Sequence, residues 1–279
     1  KQKTAYEIPK RDWSSDVCSS DLSPPLPGVF APDDLDGLCA HVDEHGFAIL
    51  RGLFDKGTLA AAERELVAAQ EALVAGALDA GHATDILDAP DATIGGRPFA
   101  HYVVFATRAS ARADALVHHP VLVEVNRRLL GDQAWLLDYE QFGVVYQDAR
   151  PDPGTAYSRI GWHTDHQSGP HLSMWPAVAF TVHFDPTSPA NGFLRVLAGS
   201  HRHGTEGMPP GFERVPGELA VYCERGDVLL HHCDLWHAAA RATDDGEGAV
   251  RRHLRGSWHG GDRLPEGHGT DDFVKNARR

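Results

Sequence analysis

Residues 177–196 read AVAFTVHFDPTSPANGFLRV. Ala177–Phe184 is a run rich in β-branched and aromatic residues, halted by Pro186 and resumed after Asn191-Gly192. Runs of that composition between Pro, Gly, Asn and Asp read as short strands joined by turns. The same texture extends both ways, through Ala134–Leu137, Phe142–Tyr146, Gly192–Val196, Glu218–Cys223, Val228–His232 and Arg251–Trp258. Before Ala134 the period is helical. Pro32-Asp33-Asp34 opens a helix to about Glu44, with acid at its N-terminal end, and Gly46 stops it. Phe47–Leu50 is a short strand. Residues 57–78 set Leu59, Leu66, Ala69 and Leu73 on one helical face, and residues 80–100 form a Gly-, Asp- and Pro-rich loop. His118–Leu130 is a further helix ended by Gly131. Helices followed by many short strands predict an α+β protein. Its β part, at about 134–259, is a sandwich or barrel behind an N-terminal helical layer at about 29–130.

No repeat or linker interrupts residues 23–260, so a single domain is expected there, followed by a polar tail at 261–279. Residues 1–22, KQKTAYEIPKRDWSSDVCSSDL, resemble the in-frame translation of a sequencing adapter. They are expected to be an artefactual, disordered leader and are set aside from the fold. The segment has no apolar stretch of the kind a signal peptide needs.

Of the 279 residues, 26 are Lys or Arg and 39 are Asp or Glu, a net charge of −13. An acidic chain repels phosphate backbones, so nucleic acid is not an expected partner. No apolar run is long enough for a membrane span. Four cysteines in a chain of this length do not make a disulfide scaffold, and reduced thiols in the cytoplasm are expected. The chain carries 18 histidines, the commonest metal-ligand residue.

Two histidines and one carboxylate hold Fe(II) in non-haem oxygenases and leave positions open for reactants. On a strand, His-x-Asp supplies two of these ligands, because alternate residues face one side. Four such pairs occur: His41/Asp43, His163/Asp165, His183/Asp185 and His232/Asp234. His41 and Asp43 lie on an expected helix, where i and i+2 diverge. Asp185 precedes Pro186 and reads as a turn starter. His232 alternates into its strand. His163/Asp165, in GWHTDHQSG at 161–169, is the best pair.

Three blocks carry a resemblance. They are GWHTDHQSG at 161–169, NGFLRVLAGSHRHG at 191–204 and GDVLLHHCDLWHAA at 226–239. In this order they resemble the phytanoyl-CoA dioxygenase-like Fe(II)/2-oxoglutarate oxygenases, whose later blocks run N-G-x-L-x-x-x-x-G-S-H and G-D-v-x-x-F-H-x-x-x-x-H. With the helix–strand–helix of 31–78 the resemblance covers about 29–259. It implies a double-stranded β-helix (jelly-roll, cupin-like) core. It also implies Fe(II), 2-oxoglutarate and O₂ as cofactor and co-substrates, with succinate and CO₂ released as a small-molecule substrate is hydroxylated. His163, Asp165 and His237 become the iron ligands, with His231 and His232 as rivals of His237. Asp165 argues against the halogenase branch, where a small residue stands there.

The family's arginine for the far carboxylate of 2-oxoglutarate falls about eleven residues after the distal histidine. Arg251 is fourteen after His237, and the DDGEG stretch absorbs the difference. A planar guanidinium suits a carboxylate because it binds bidentately. Arg251, His253, Arg255 and Ser257 share one face of the last strand; Arg252, Leu254, Gly256 and Trp258 share the other. Arg252 and Arg255 are the next choices. Tyr146 and Gln147 replace the family's frequent lysine, and Thr181 and His183 face 2-oxoglutarate or the core. Arg195 and Ser200-His201 brace a loop; Trp162, Trp175 and Trp236 flank the site as core packing, with a substrate wall as the second reading. A cupin-type metalloenzyme would hold metal without needing Arg251, and an inactive relative would keep the fold without turnover. The resemblance admits acyl-CoA thioesters, amino acids, osmolytes and secondary metabolites as substrates. The negative charge disfavours the thioester.

Overall fold

The computed structural model describes residues 28–83, 93–98, 100, 102–137, 143–147, 161–165, 173–240, 242–244 and 246–263. The leader and most of the polar tail lie outside them. The chain begins with β1 (Val29–Phe30), α1 (Leu35–His45), β2 (Phe47–Leu50) and α2 (Lys56–Val74). A small hairpin, β3 (Thr93–Ile94) and β4 (Arg97–Pro98), precedes β5 (Tyr102–Val104), α3 (Ala106–Ala109), α4 (Ala111–Val117) and α5 (Pro120–Leu130). Strands then dominate: β6 (Trp135–Leu137), β7 (Val145–Gln147), β8 (Ala177–His183), β9 (Leu194–Val196), β10 (Leu219–Val221), β11 (Val228–His232), β12 (His237–Ala239) and β13 (His253–His259).

The helix ends follow local chemistry. Asp34 caps α1 by accepting from Gly37 N, and Gly46, at φ 83°, terminates it in the left-handed conformation that glycine adopts without strain. Asp55 caps α2 by accepting from Gly57 N and Thr58 N. The helix expected at His118–Leu130 begins at Pro120 instead. Proline at the first helical position loses no intrahelical bond, and His119 caps it.

A large sheet has the order β1-β2-β11-β8-β13-β7-β5, with β6 also on β13. All its described pairings are antiparallel except β1 with β2. A second sheet has the order β10-β9-β12. Alternation along the central strands divides the core in two. Phe180 and Val182 of β8, Val228 and Leu230 of β11, and Leu254 and Trp258 of β13 pack on Leu38, Leu59, Leu66, Leu116 and Leu122 from the helices. Leu229, with Phe47 and Ile49, packs instead on Val196, Val221 and Leu235. The inner face of the large sheet thus meets the small sheet, and polar residues gather between them. Among the described residues no helix is long and apolar enough to cross a membrane. Cys39, Cys223 and Cys233 are free.

Candidate metal centre

The small sheet gathers the strongest constellation. His163 and His237 form an isolated antiparallel bridge in which each backbone N–H donates to the other's carbonyl at 3.0 Å. Asp165 N donates to Cys233 O at 2.8 Å, which fixes the next turn of chain against the same partner segment. Gly161 starts this run because its backbone presses on Gly211, where a Cβ would stand 2.6 Å from the carbonyl oxygen. Trp162 N donates to that same carbonyl at 2.9 Å.

Three candidate ligand atoms, one each from His163, Asp165 and His237, lie within 4.8 Å of one another. His237 Nε2 is 3.5 Å from Asp165 Oδ1, and His163 Nε2 is 3.9 Å from it. His163 Nδ1 lies 2.8 Å from Gly161 O, and His237 Nδ1 lies 2.8 Å from Leu235 O. A carbonyl only accepts, so Nδ1 carries the proton in both rings. The Nε2 atom of each ring is thereby turned toward Asp165. Burial, followed by the charge of His237, pushes His163 down to about 3, so its imidazole is neutral and ready to ligate. Burial pushes the Asp165 carboxyl up, but His237 and His231 outweigh it and hold it well below the usual carboxylate range. A buried ionised carboxylate between two Nε2 atoms matches a divalent cation of the two-His, one-carboxylate type.

The competing His-x-Asp pairs separate. His41 lies on α1 among aromatic rings of Phe30, His45 and Phe47. Asp185 accepts from Arg252 Nε and Nη2 at 2.8 and 3.1 Å, far from any such cluster. His232 Nδ1 accepts from Asp234 N at 3.1 Å, and its ring stands beside His201 and Trp175, on the opposite side of β11 from His231. His231 sits at the centre: its Nε2 is 3.3 Å from Asp165 Oδ2. Sequence reasoning gave it only the role of a rival or a strand residue.

The three arginines of the last strand also separate. Arg252 faces the helices, bonded to Asp185 and 2.8 Å from Glu63 of α2, which also pairs with Arg225. Arg251 and Arg255 face inward. The charge of Arg251 is felt at His183 and Cys223, and that of Arg255 at His163, His231 and Cys233. Thr181 lies on the same inner face, across from Arg255 on one side and Leu229 on the other. Tyr146 belongs to β7 by its backbone, but the side chains of Tyr146 and Gln147 lie outside the described residues.

The tryptophans are tied into the protein. Trp162 Nε1 donates to Glu213 O, Trp236 Nε1 to Gly204 O and Trp175 Nε1 to Asp234 Oδ2. Arg195 stacks over Trp162 at 5.0 Å while bonding Glu218 and the carbonyls of Phe212 and Glu213. Ser200 Oγ accepts from Trp236 N, beside His237.

Several imidazoles here resist protonation. Burial lowers His163 and His183 to about 3 and His232 and His259 to about 4, from 6.5. Unfolded chains protonate these groups below about 6.5, so the unfolded state then binds more protons than the native state. Stability of the metal-free protein is therefore full above pH 6.5 and falls as pH drops toward 4 and 3. Each histidine contributes a slope of up to about 1.4 kcal/mol per pH unit. Unfolding free energies from urea titrations at pH 7.5 and pH 5.0 are expected to differ by several kcal/mol in this direction; equal values contradict it.

The sequence model of the family described as Phytanoyl-CoA dioxygenase (PhyH) matches residues 42–247. A 1-deoxypentalenic acid 11-beta-hydroxylase of Streptomyces arenae is 26% identical, spanning 74% of this chain and 74% of its own. The non-heme alpha ketoglutarate dependent carbocyclase SnoK from nogalamycin biosynthesis superposes at TM-score 0.62 and 18% identity, covering 89% of this chain and 93% of that one. EctD from S. alaskensis with bound Fe superposes at TM-score 0.59 and 20% identity, covering 79% of this chain and 75% of that one. The two structures share a mixed α/β fold with a large sheet.

Proposed function

Because the chain belongs to the phytanoyl-CoA dioxygenase family, we propose that it is an Fe(II)- and 2-oxoglutarate-dependent dioxygenase that hydroxylates a small-molecule substrate. The observation that carries this reading is the His163–Asp165–His237 cluster, its Asp165 and His237 buried and His163 half-buried, with both imidazoles oriented Nε2-inward by backbone carbonyls. His163, Asp165 and His237 would hold Fe(II). The order of the two sheets supports reading the core as a double-stranded β-helix in one domain over residues 23–260. The bound iron and keto acid supply the oxidation, consuming O₂ and releasing succinate and CO₂.

The chain's own residues do the rest. Arg251, on the inner face, would receive the far carboxylate of 2-oxoglutarate, with Thr181 on the same face, and Tyr146 is the further contact that the sequence offers. His163 and His237 keep their Nδ1 protons on carbonyls, so neither ring turns away when the site is empty of substrate. Trp162 and Trp236 close the small sheet against water behind the ligands. A related hydroxylase acts on a small acid, and solved neighbours bind small molecules, which supports a small-molecule substrate. The free thiols of Cys39, Cys223 and Cys233, among the described residues, support a reducing, cytoplasmic setting.

The test is release of labelled CO₂ from carboxyl-labelled 2-oxoglutarate by protein with Fe(II) and ascorbate, alone and with candidate small molecules. Protein-dependent release that a substrate stimulates is expected. Verified iron with no consumption of the keto acid returns the chain to the cupin-type reading.

A further inference from the structure

We infer that His231 is a positioning residue that grips the second oxygen of Asp165, so that the carboxylate offers the metal one oxygen only. This deepens the proposed function and rests on its metal site.

The two carboxylate oxygens of Asp165 face different partners. Oδ1 looks toward His237 Nε2 and His163 Nε2, at 3.5 and 3.9 Å. Oδ2 looks away from that pair toward His231 Nε2, at 3.3 Å. His231 reaches this point from the other sheet. It lies on β11, laddered to Phe47 on one side and Ala179 on the other, so a paired strand fixes the ring rather than a loop. Its ring stands 4.6 Å from that of His237. The residue is 5% exposed, and among the described residues neither ring nitrogen has a hydrogen-bond partner; Nε2 and Asp165 Oδ2, likewise unpartnered, approach to 3.3 Å short of hydrogen-bond geometry. A buried imidazole without a partner is costly, so an Nε2–H directed at a carboxylate oxygen is the arrangement that satisfies it.

The sequence block supports a specific role. In GDVLLHHCDLWH, His231 occupies the position where the family pattern G-D-v-x-x-F-H carries phenylalanine. Phenylalanine fills the space but offers no donor. Here an imidazole nitrogen that can donate lies 3.3 Å from the cluster's carboxylate, and a small turn of the ring would aim its N–H at Oδ2. A carboxylate gripped at Oδ2 cannot swing to bind the metal through both oxygens. A second carboxylate bond would take a position that the open face of a two-His, one-carboxylate centre keeps for reactants. Partners of ligating carboxylates tune affinity by fixing orientation.

The test uses His231→Phe and His231→Gln with Co(II), whose visible absorption reports coordination number, and needs no turnover. Anaerobic titration is expected to show Co(II) affinity about 10- to 100-fold weaker in His231→Phe, the range for partners of ligating residues. The Co(II) absorption should change in intensity, and His231→Gln, which keeps an N–H donor, should restore both in part. The unfolding midpoint of each metal-free variant reports its fold separately. Wild-type affinity and spectrum in a folded His231→Phe overturn the inference, because His231 is then packing alone. Loss far beyond 100-fold in both variants, with a spectrum lacking one nitrogen ligand, also overturns it, since His231 is then itself a ligand. Wild-type protein that takes up no divalent metal overturns the metal site and the proposed function together. Metal uptake without keto-acid use overturns the oxygenase reading and leaves the His231 comparison standing.

Discussion

Asp165→Ala abolishes keto-acid turnover and removes the stabilisation that divalent metal gives the wild-type protein. Ligand binding to the native state alone adds stability as RT ln(1 + [L]/Kd), about 2.7 kcal/mol at a metal concentration of 100 Kd. Among the described residues Asp165 is the only carboxylate in the cluster with His163 and His237, so its loss removes the negative charge that would balance a dication. The metal-dependent rise in unfolding temperature should therefore vanish. The metal-free variant is expected to lose some stability as well. His237 and His231 outweigh the burial cost of the Asp165 carboxylate and hold it well below the usual range, so its removal takes that contribution away at neutral pH. The Nδ1 contacts of both histidines and their backbone bridge remain. Calorimetry of both proteins, with and without Mn(II) as a redox-silent metal, checks the pair of outcomes. A preserved metal shift in the variant contradicts the ligand assignment.

Arg251→Ala raises the 2-oxoglutarate concentration needed for half-saturation by about 30- to 150-fold. A hydrogen-bonded charge pair away from bulk water contributes about 2–3 kcal/mol, and each 1.4 kcal/mol is a factor of ten. Arg252→Ala separates the two neighbours. Arg252 ties β13 to Asp185 and to Glu63 of α2, so its loss lowers the unfolding midpoint and leaves the keto-acid requirement unchanged. Arg255 stands between these cases, because its charge is felt at His163 and His231. If Arg255→Ala weakens the keto acid and Arg251→Ala does not, the anchor moves one turn of the strand toward the metal.

The elements that were legible in the sequence carried their own signals. Asp34 and Gly46 bracket α1 as capping chemistry predicts, and the apolar face around Leu59 and Leu66 is the buried face of α2. Alternation along Arg251–Trp258 divided inner from outer residues: Leu254 and Trp258 pack on the helices with Arg252 beside them. Other elements had no local mark. Residues 106–117, which form α3 and α4, lacked a cue that separated them from the preceding loop. The three residues of β12 are too few for a period, and their pairing with β9 and His163 depends on chain folded from elsewhere. The same limit hid His231. Its strand was plain, but its ring matters only because Asp165, distant in sequence, arrives 3.3 Å away. Tertiary proximity, not residue type, makes it part of the site.

An anaerobic optical titration of Fe(II)-loaded protein with 2-oxoglutarate decides whether the keto acid binds iron held by this chain. A visible metal-to-ligand charge-transfer band requires the keto acid to chelate iron held by protein. A saturable band is expected in wild type, displaced to much higher keto-acid concentration in Arg251→Ala. Verified stoichiometric iron with no band at any concentration contradicts it.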